Sequence, residues 1–116
     1  MTAGPAPVAP RRVVLVCTGN TCRSALAEAL LRRALEERGV TDVDVSSAGT
    51  GAWEGAPASE GAYLVGLESG LDLSGHRARL LTADVVSQSD LILTMARHHR
   101  ARVLELGAEG RVHLVG

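Results

Sequence analysis

The chain has no phenylalanine and no lysine, and its only aromatic residues are Trp53 and Tyr63. Without Phe, a core must be built from Leu, Val, Ile and Ala fitted by shape. Without Lys, both Schiff-base chemistry and a nucleotide-binding loop of the GxxxxGK[ST] type are excluded. The 12 basic residues are all Arg and are balanced by 13 acids, for a formal net charge of −1. No overall field therefore draws the protein to nucleic acid or to an anionic membrane. No apolar run approaches the ~20 residues of a membrane span, and the Pro-rich start lacks the apolar stretch of a signal peptide. With only two cysteines, Cys17 and Cys22, there is no disulfide framework. A cytoplasmic, reducing location is expected, where a cysteine is more often catalytic or redox-active than structural.

A length of 116 residues suits one domain with one core. Residues 1–11 read as a flexible lead-in and residues 12–116 as the folded domain. Residues 13–16 are a continuous Val/Leu run, as in a strand buried on both faces of a parallel sheet. From about residue 22 to 38 the pattern turns helical. Ala25, Leu26, Ala29 and Leu30 form an apolar stripe, and Glu28, Arg32 and Glu36 form a charged ladder; Gly39 ends the helix. A second, more exposed strand is expected over residues 43–47, then a Gly-rich loop over 48–57 that contains Trp53. A helix follows to residue 69, a short helical turn capped by Thr82, and a third strand around 91–93. The last elements are a helix over 96–106 and a fourth strand over 112–115. The sum is an α/β single-domain structure around an open, mostly parallel sheet.

Residues 17–24, Cys-Thr-Gly-Asn-Thr-Cys-Arg-Ser, fall between a buried strand and a helix, where α/β sheets place their ligands. Successive backbone N–H groups of Thr18, Gly19, Asn20, Thr21, Cys22 and Arg23 can curl around a tetrahedral anion, with Gly19 and Asn20 able to take positive φ. The helix N-terminus adds positive potential, which favours a thiolate at Cys17. Arg23 can present two parallel donors to two phosphate oxygens, and Ser24 can donate to the Cys17 sulfur. The expected catalytic residues are Cys17, Arg23 and Ser24. The expected reaction is attack of sulfur on phosphorus, then hydrolysis of a cysteinyl-phosphate. Cys22 is open between a buried apolar residue and a redox partner for Cys17. Zinc binding lacks a second pair of ligands. His98 and His99 are expected to face solvent, and Arg97, Arg100 and Arg102 to form a solvated helix face.

CTGNTCRS resembles the Cys-x5-Arg-Ser signature of the low-molecular-weight protein-tyrosine phosphatases. Residues 47–50 (SAGT), 73–79 (LSGHRAR) and 89–95 (SDLILTM) resemble further segments of that family in the same order. The resemblance implies a phosphatase-I-like sheet of order 2-1-3-4 with helices on both faces. It also implies loop support by Asn20, Ser47 and His76, a substrate flanked by Thr21 and Trp53, and no metal or cofactor. A phosphorylated protein substrate, with phosphate or sulfate held in the loop, follows from it. Thr21 makes the loop similar to the family's protein-arginine phosphatase branch, so phosphotyrosine and phosphoarginine both stand as substrates. Family members continue past the fourth strand into an Asp-Pro loop, whose Asp is the general acid, and a last helix. The last acid of this sequence is Glu109, before that strand. A homo-oligomer is expected if an apolar sheet face is left uncovered. Two alternatives are a catalytically impaired phosphate-binding or regulatory module and, with fewer cysteines than it needs, an arsenate reductase.

Overall fold

The structure is a computed structural model that describes residues 11–108 and 110–115. The expected lead-in up to residue 10, Glu109 and Gly116 lie outside the described residues. The elements run β1 (Arg12–Cys17), α1 (Arg23–Glu37), β2 (Asp44–Gly49), α2 (Glu60–Glu68), α3 (Ala83–Gln88), β3 (Leu91–Thr94), α4 (Arg97–Glu105) and β4 (Val112–Leu114). Ser59 caps α2 by accepting from Ala62 N at 3.2 Å, and Thr82 caps α3 by accepting from Val85 N at 3.2 Å. Such caps are each worth ~1 kcal/mol.

The four strands are all parallel, in the order β2-β1-β3-β4. β1 lies at the centre, and the chain passes to β2 on one side and to β3 and β4 on the other. The carboxyl ends of β1 and β3 are therefore the topological switch point, where such sheets open a crevice. Side-chain alternation assigns the faces. Val14, Val16, Ala48, Ile92 and Val112 pack with Val86 and Val103 from α3 and α4 in the main core. Val13 and Leu15 point to the other face, which α1 covers.

Of two expectations about exposure, one holds and one is corrected. β2 is more exposed than β1, as expected, with Asp44 exposed and Ser46 half-buried, although α1 and the loop after β1 bury Val45, Ser47, Ala48 and Gly49. The apolar stripe of α1 is only partly covered: Ala25 is buried, whereas Leu30 is 44% exposed. Glu28 and Arg32 do pair, at 3.0 Å, but Glu28 turns inward to Ser47 rather than out to solvent. On α2, Leu64, Val65 and Leu67 stand outward, and Leu114 and Val115 are exposed at the β4 edge. No helix among the described residues is long and apolar enough to cross a membrane.

Candidate active site

Residues 17–24 form the loop joining β1 to α1. Cys17 ends β1 with its side chain buried, and Cys22 sits at the N-cap of α1. No side chain caps this helix and no acid occupies its first turn. Its leading N–H groups, which lack partners within any helix, are left to the loop and whatever the loop holds. Cys22 is exposed and both thiols are free, so Cys22 is not the buried apolar residue that one reading of the sequence allowed.

Asn20 organises the loop. It is fully buried, with φ 58°, the left-handed conformation that Asn tolerates better than most side chains. Its backbone N–H donates to Cys17 Sγ at 3.3 Å. Its Nδ2 donates to Ser24 Oγ at 2.9 Å and to Ser47 Oγ at 2.8 Å, and its Oδ1 accepts from Arg79 N at 2.8 Å. Its carbonyl accepts from His76 Nε2 at 2.5 Å, which assigns that ring proton to Nε2. Every polar group of Asn20 is thus paired. Gly19, in contrast, is not at positive φ, so of the two candidates only Asn20 makes the left-handed step.

The hydrogens around the sulfur can be counted from these contacts. Ser24 Oγ already accepts from Asn20, so its own proton is free for Cys17 Sγ, 2.8 Å away. Two donors, Ser24 O–H and Asn20 N–H, then converge on the sulfur, which suits an anionic nucleophile and later a sulfur leaving group. The chain of contacts continues behind the loop. Ser47 Oγ accepts from Asn20 and donates to Glu28, which pairs with Arg32. A cavity of about 690 Å³ lies there, bordered by Glu28, Arg32, Ser47, His76 and Arg79 but not by Cys17. It belongs to the supports of the loop and not to the nucleophile.

Gly49 lets β2 approach. A Cβ at this position would lie 2.3 Å from Thr18 O and 2.9 Å from Asn20 N, both backbone atoms that cannot swing aside. Thr50 N donates to Cys17 O at 2.9 Å and Gly51 N to Thr18 O at 3.0 Å, joining the two loops. Trp53 follows on a segment fastened on its far side by Gly55 N to Ala78 O and by Leu80 N to Glu54 Oε1. Its indole is 84% exposed, so it contributes little to the core and is held outward by a tied loop. Thr21 is half-buried and its carbonyl accepts from Ser59 N at 2.8 Å. The Arg23 guanidinium is exposed and has no hydrogen-bond or ion-pair partner among the described residues. No cluster of three or more potential metal ligands occurs among those residues.

One contributor escaped the sequence reading. His99 on α4 does not face solvent: it is fully buried, with Nε2 2.8 Å from Thr18 Oγ1. Burial, then the neighbouring His98 and Arg23, hold its pKa below the usual imidazole value. The signal available was its spacing, one turn before Val103, the other buried residue of that helix, so the two share a face. The pairing with residue 18 is fixed by the sheet order.

A parallel α/β sheet with a buried cysteine at the carboxyl end of β1, beside the switch point and ahead of a helix N-terminus, defines the class. Within that class the chain belongs to the family described as low molecular weight phosphotyrosine protein phosphatase, whose profile matches residues 12–115. It is 47% identical over 85 residues to the probable low molecular weight protein-tyrosine-phosphatase EpsP of Ralstonia solanacearum, covering 73% of this chain and 55% of that protein. The chain thus spans about half the length of that curated relative. The tyrosine phosphatase Wzb from Escherichia coli K30, in complex with sulphate, superposes with a TM-score of 0.83 at 35% identity, covering 91% of this chain and 72% of that one. A mutant of the YwlE arginine phosphatase with a phosphorylated active site serine superposes with a TM-score of 0.81 at 32% identity, covering 89% and 68%.

Proposed function

We propose that the chain hydrolyses phosphorylated protein side chains, phosphotyrosine or phosphoarginine, through a cysteinyl-phosphate on Cys17. The observation that carries this reading is the buried Cys17 sulfur with two converging donors, at the mouth of an uncapped helix N-terminus. Family membership supports it. The sulfur attacks phosphorus, and the bond from phosphorus to the substrate oxygen or nitrogen breaks. Water then attacks phosphorus, and sulfur leaves with the Ser24 proton directed at it, releasing inorganic phosphate. Arg23 is proposed as the clamp on two phosphoryl oxygens, with the N–H groups of residues 18–23 around the rest. Asn20, Ser47 and His76 are the proposed supports of the loop, and Thr21 and Trp53 its proposed rim. We place the protein in the cytoplasm, where the free thiols would persist.

Residues 110–116 carry no acidic side chain, so a polypeptide made of these 116 residues alone has none after β4 to protonate a leaving group. A positioned general acid contributes ~10²–10⁴-fold. A polypeptide of this sequence is therefore expected to act on nitrophenyl phosphate, whose leaving group needs no proton, far better than on phosphotyrosine or phosphoarginine peptides. The reading to be separated from the phosphatase is a module that holds phosphate in the same loop without turning over. Rapid-mixing kinetics with nitrophenyl phosphate separate the two: a burst followed by steady release supports the phosphatase, and a burst that stops supports the module. A protein that neither releases nitrophenol nor binds sulfate refutes both.

A further inference from the structure

The crevice at the switch point has two lips, the loop after β1 and the first turn of α4 after β3. Met95 N donates to Val16 O at 3.0 Å, which brings the second lip against the first. The contact between them that involves side chains is His99 Nε2 with Thr18 Oγ1, 2.8 Å, joining residues 81 apart in sequence. His99 is wholly buried, and its other ring nitrogen, Nδ1, has no hydrogen-bond partner among the described residues. A buried polar ring with half its capacity unmet costs free energy, so a packing role alone would be served better by an apolar residue.

We propose that His99 is a positioning residue for the phosphate loop, acting through the hydroxyl of Thr18, the residue directly after the nucleophile. The inference rests on the phosphatase reading, because the loop it positions is the proposed phosphate site. The unpaired Nδ1 also assigns the tautomer. A buried N–H without an acceptor is rarer than a bare acceptor, so Nε2 carries the proton and donates to Thr18 Oγ1. The Thr18 hydroxyl proton is then free for another acceptor. The groups that act on the ring's charge are His98, whose ring centroid lies 4.0 Å away, and Arg23. Both are basic, and together with burial they keep His99 neutral, so the loop gains an anchor without gaining a buried cation. The supports of Asn20 hold the loop from the β2 side, and His99 holds it from the β3 side.

The test is a double-mutant cycle on sulfate affinity, read by calorimetry on the whole chain at neutral pH. Sulfate does not titrate there, so the readout is free of substrate protonation. One hydrogen bond of ordinary net strength corresponds to roughly 2- to 12-fold in affinity. His99→Phe and Thr18→Val are each expected to weaken sulfate binding by about that factor. The double variant should be no weaker than the worse single one, because both remove the same contact. His99→Gln, which can still donate, should restore part of the loss. Independent losses that multiply, or a His99→Phe protein with wild-type affinity, overturn the inference while the phosphatase reading stands. A wild-type protein that fails to bind sulfate overturns both. Ring ¹⁵N spectra of the unmodified protein give a second reading that no folding defect can obscure. A protonated Nε2 and bare Nδ1 are expected for His99, with the Nε2 resonance shifted in Thr18→Val. The opposite tautomer refutes the assignment.

Discussion

Replacing Asn20 by Ala removes three side-chain hydrogen bonds at once, to Ser24 Oγ, Ser47 Oγ and Arg79 N, the first two buried, and asks Ala to keep φ 58°. Each bond is worth ~0.5–1.5 kcal/mol net, and the left-handed conformation costs a residue with a Cβ about 1–2 kcal/mol. The expected loss is roughly 3–6 kcal/mol, a large part of the ~5–15 kcal/mol that holds a domain together. Asn20→Gly separates the two contributions, since Gly adopts the same φ freely and should recover about 1 kcal/mol relative to Ala. Urea titrations of the three proteins measure this directly. Sulfate affinity should fall further than stability alone requires, because the loop loses both the donor oriented on Ser24 and the brace to β2. A loss below about 1 kcal/mol for Asn20→Ala, or identical Ala and Gly variants, would refute the idea that this residue organises the site.

Gly49→Ala should abolish sulfate binding while leaving the helices folded, because its Cβ would meet the backbone of residues 18 and 20; circular dichroism with calorimetry checks this, and normal affinity contradicts it. Ser24→Ala should preserve the burst with nitrophenyl phosphate but slow the steady phase roughly 10-fold or more, since the departing sulfur loses a donor. Arg23→Lys should lower kcat/KM by roughly 10- to 100-fold, the worth of a charge-assisted bidentate contact. The buried His99 sets a pH dependence of stability. Its folded pKa is lowered, so the unfolded chain takes up the proton first, and stability falls as pH drops through the unfolded value of about 6.5. Between pH ~7 and ~5 the wild type should lose stability more steeply than His99→Phe, and equal slopes would contradict a buried neutral ring.

Much of the fold was legible because it rests on local signals. The Val/Leu run of β1, the caps Ser59 and Thr82, and the helix-ending Gly39 and Gly70, at φ 71° and 75°, act within a few residues of themselves. The loop was legible for the same reason, its eight residues being contiguous between strand and helix. What the sequence hid depends on distant partners. β2 was legible as the more exposed strand, but not the partners of its serines, since only the fold brings Arg79 to Ser46 and Asn20 and Glu28 to Ser47. His99 read as exposed because nothing within α4 announces a hydroxyl from residue 18. The inward turn of Glu28 follows from Ser47 as well, so charge periodicity on α1 alone could not reveal it.

The most direct test is to mix the protein with nitrophenyl phosphate, quench within the burst in alkaline denaturant, in which a P–S bond survives, and locate any phosphoryl group by peptide mass spectrometry. One phosphoryl group is expected on Cys17, through a P–S bond that Cys17→Ser cannot form, and none when excess sulfate occupies the loop. A phosphoryl group on another residue, or substrate turnover with Cys17 never modified, would contradict a Cys17 nucleophile.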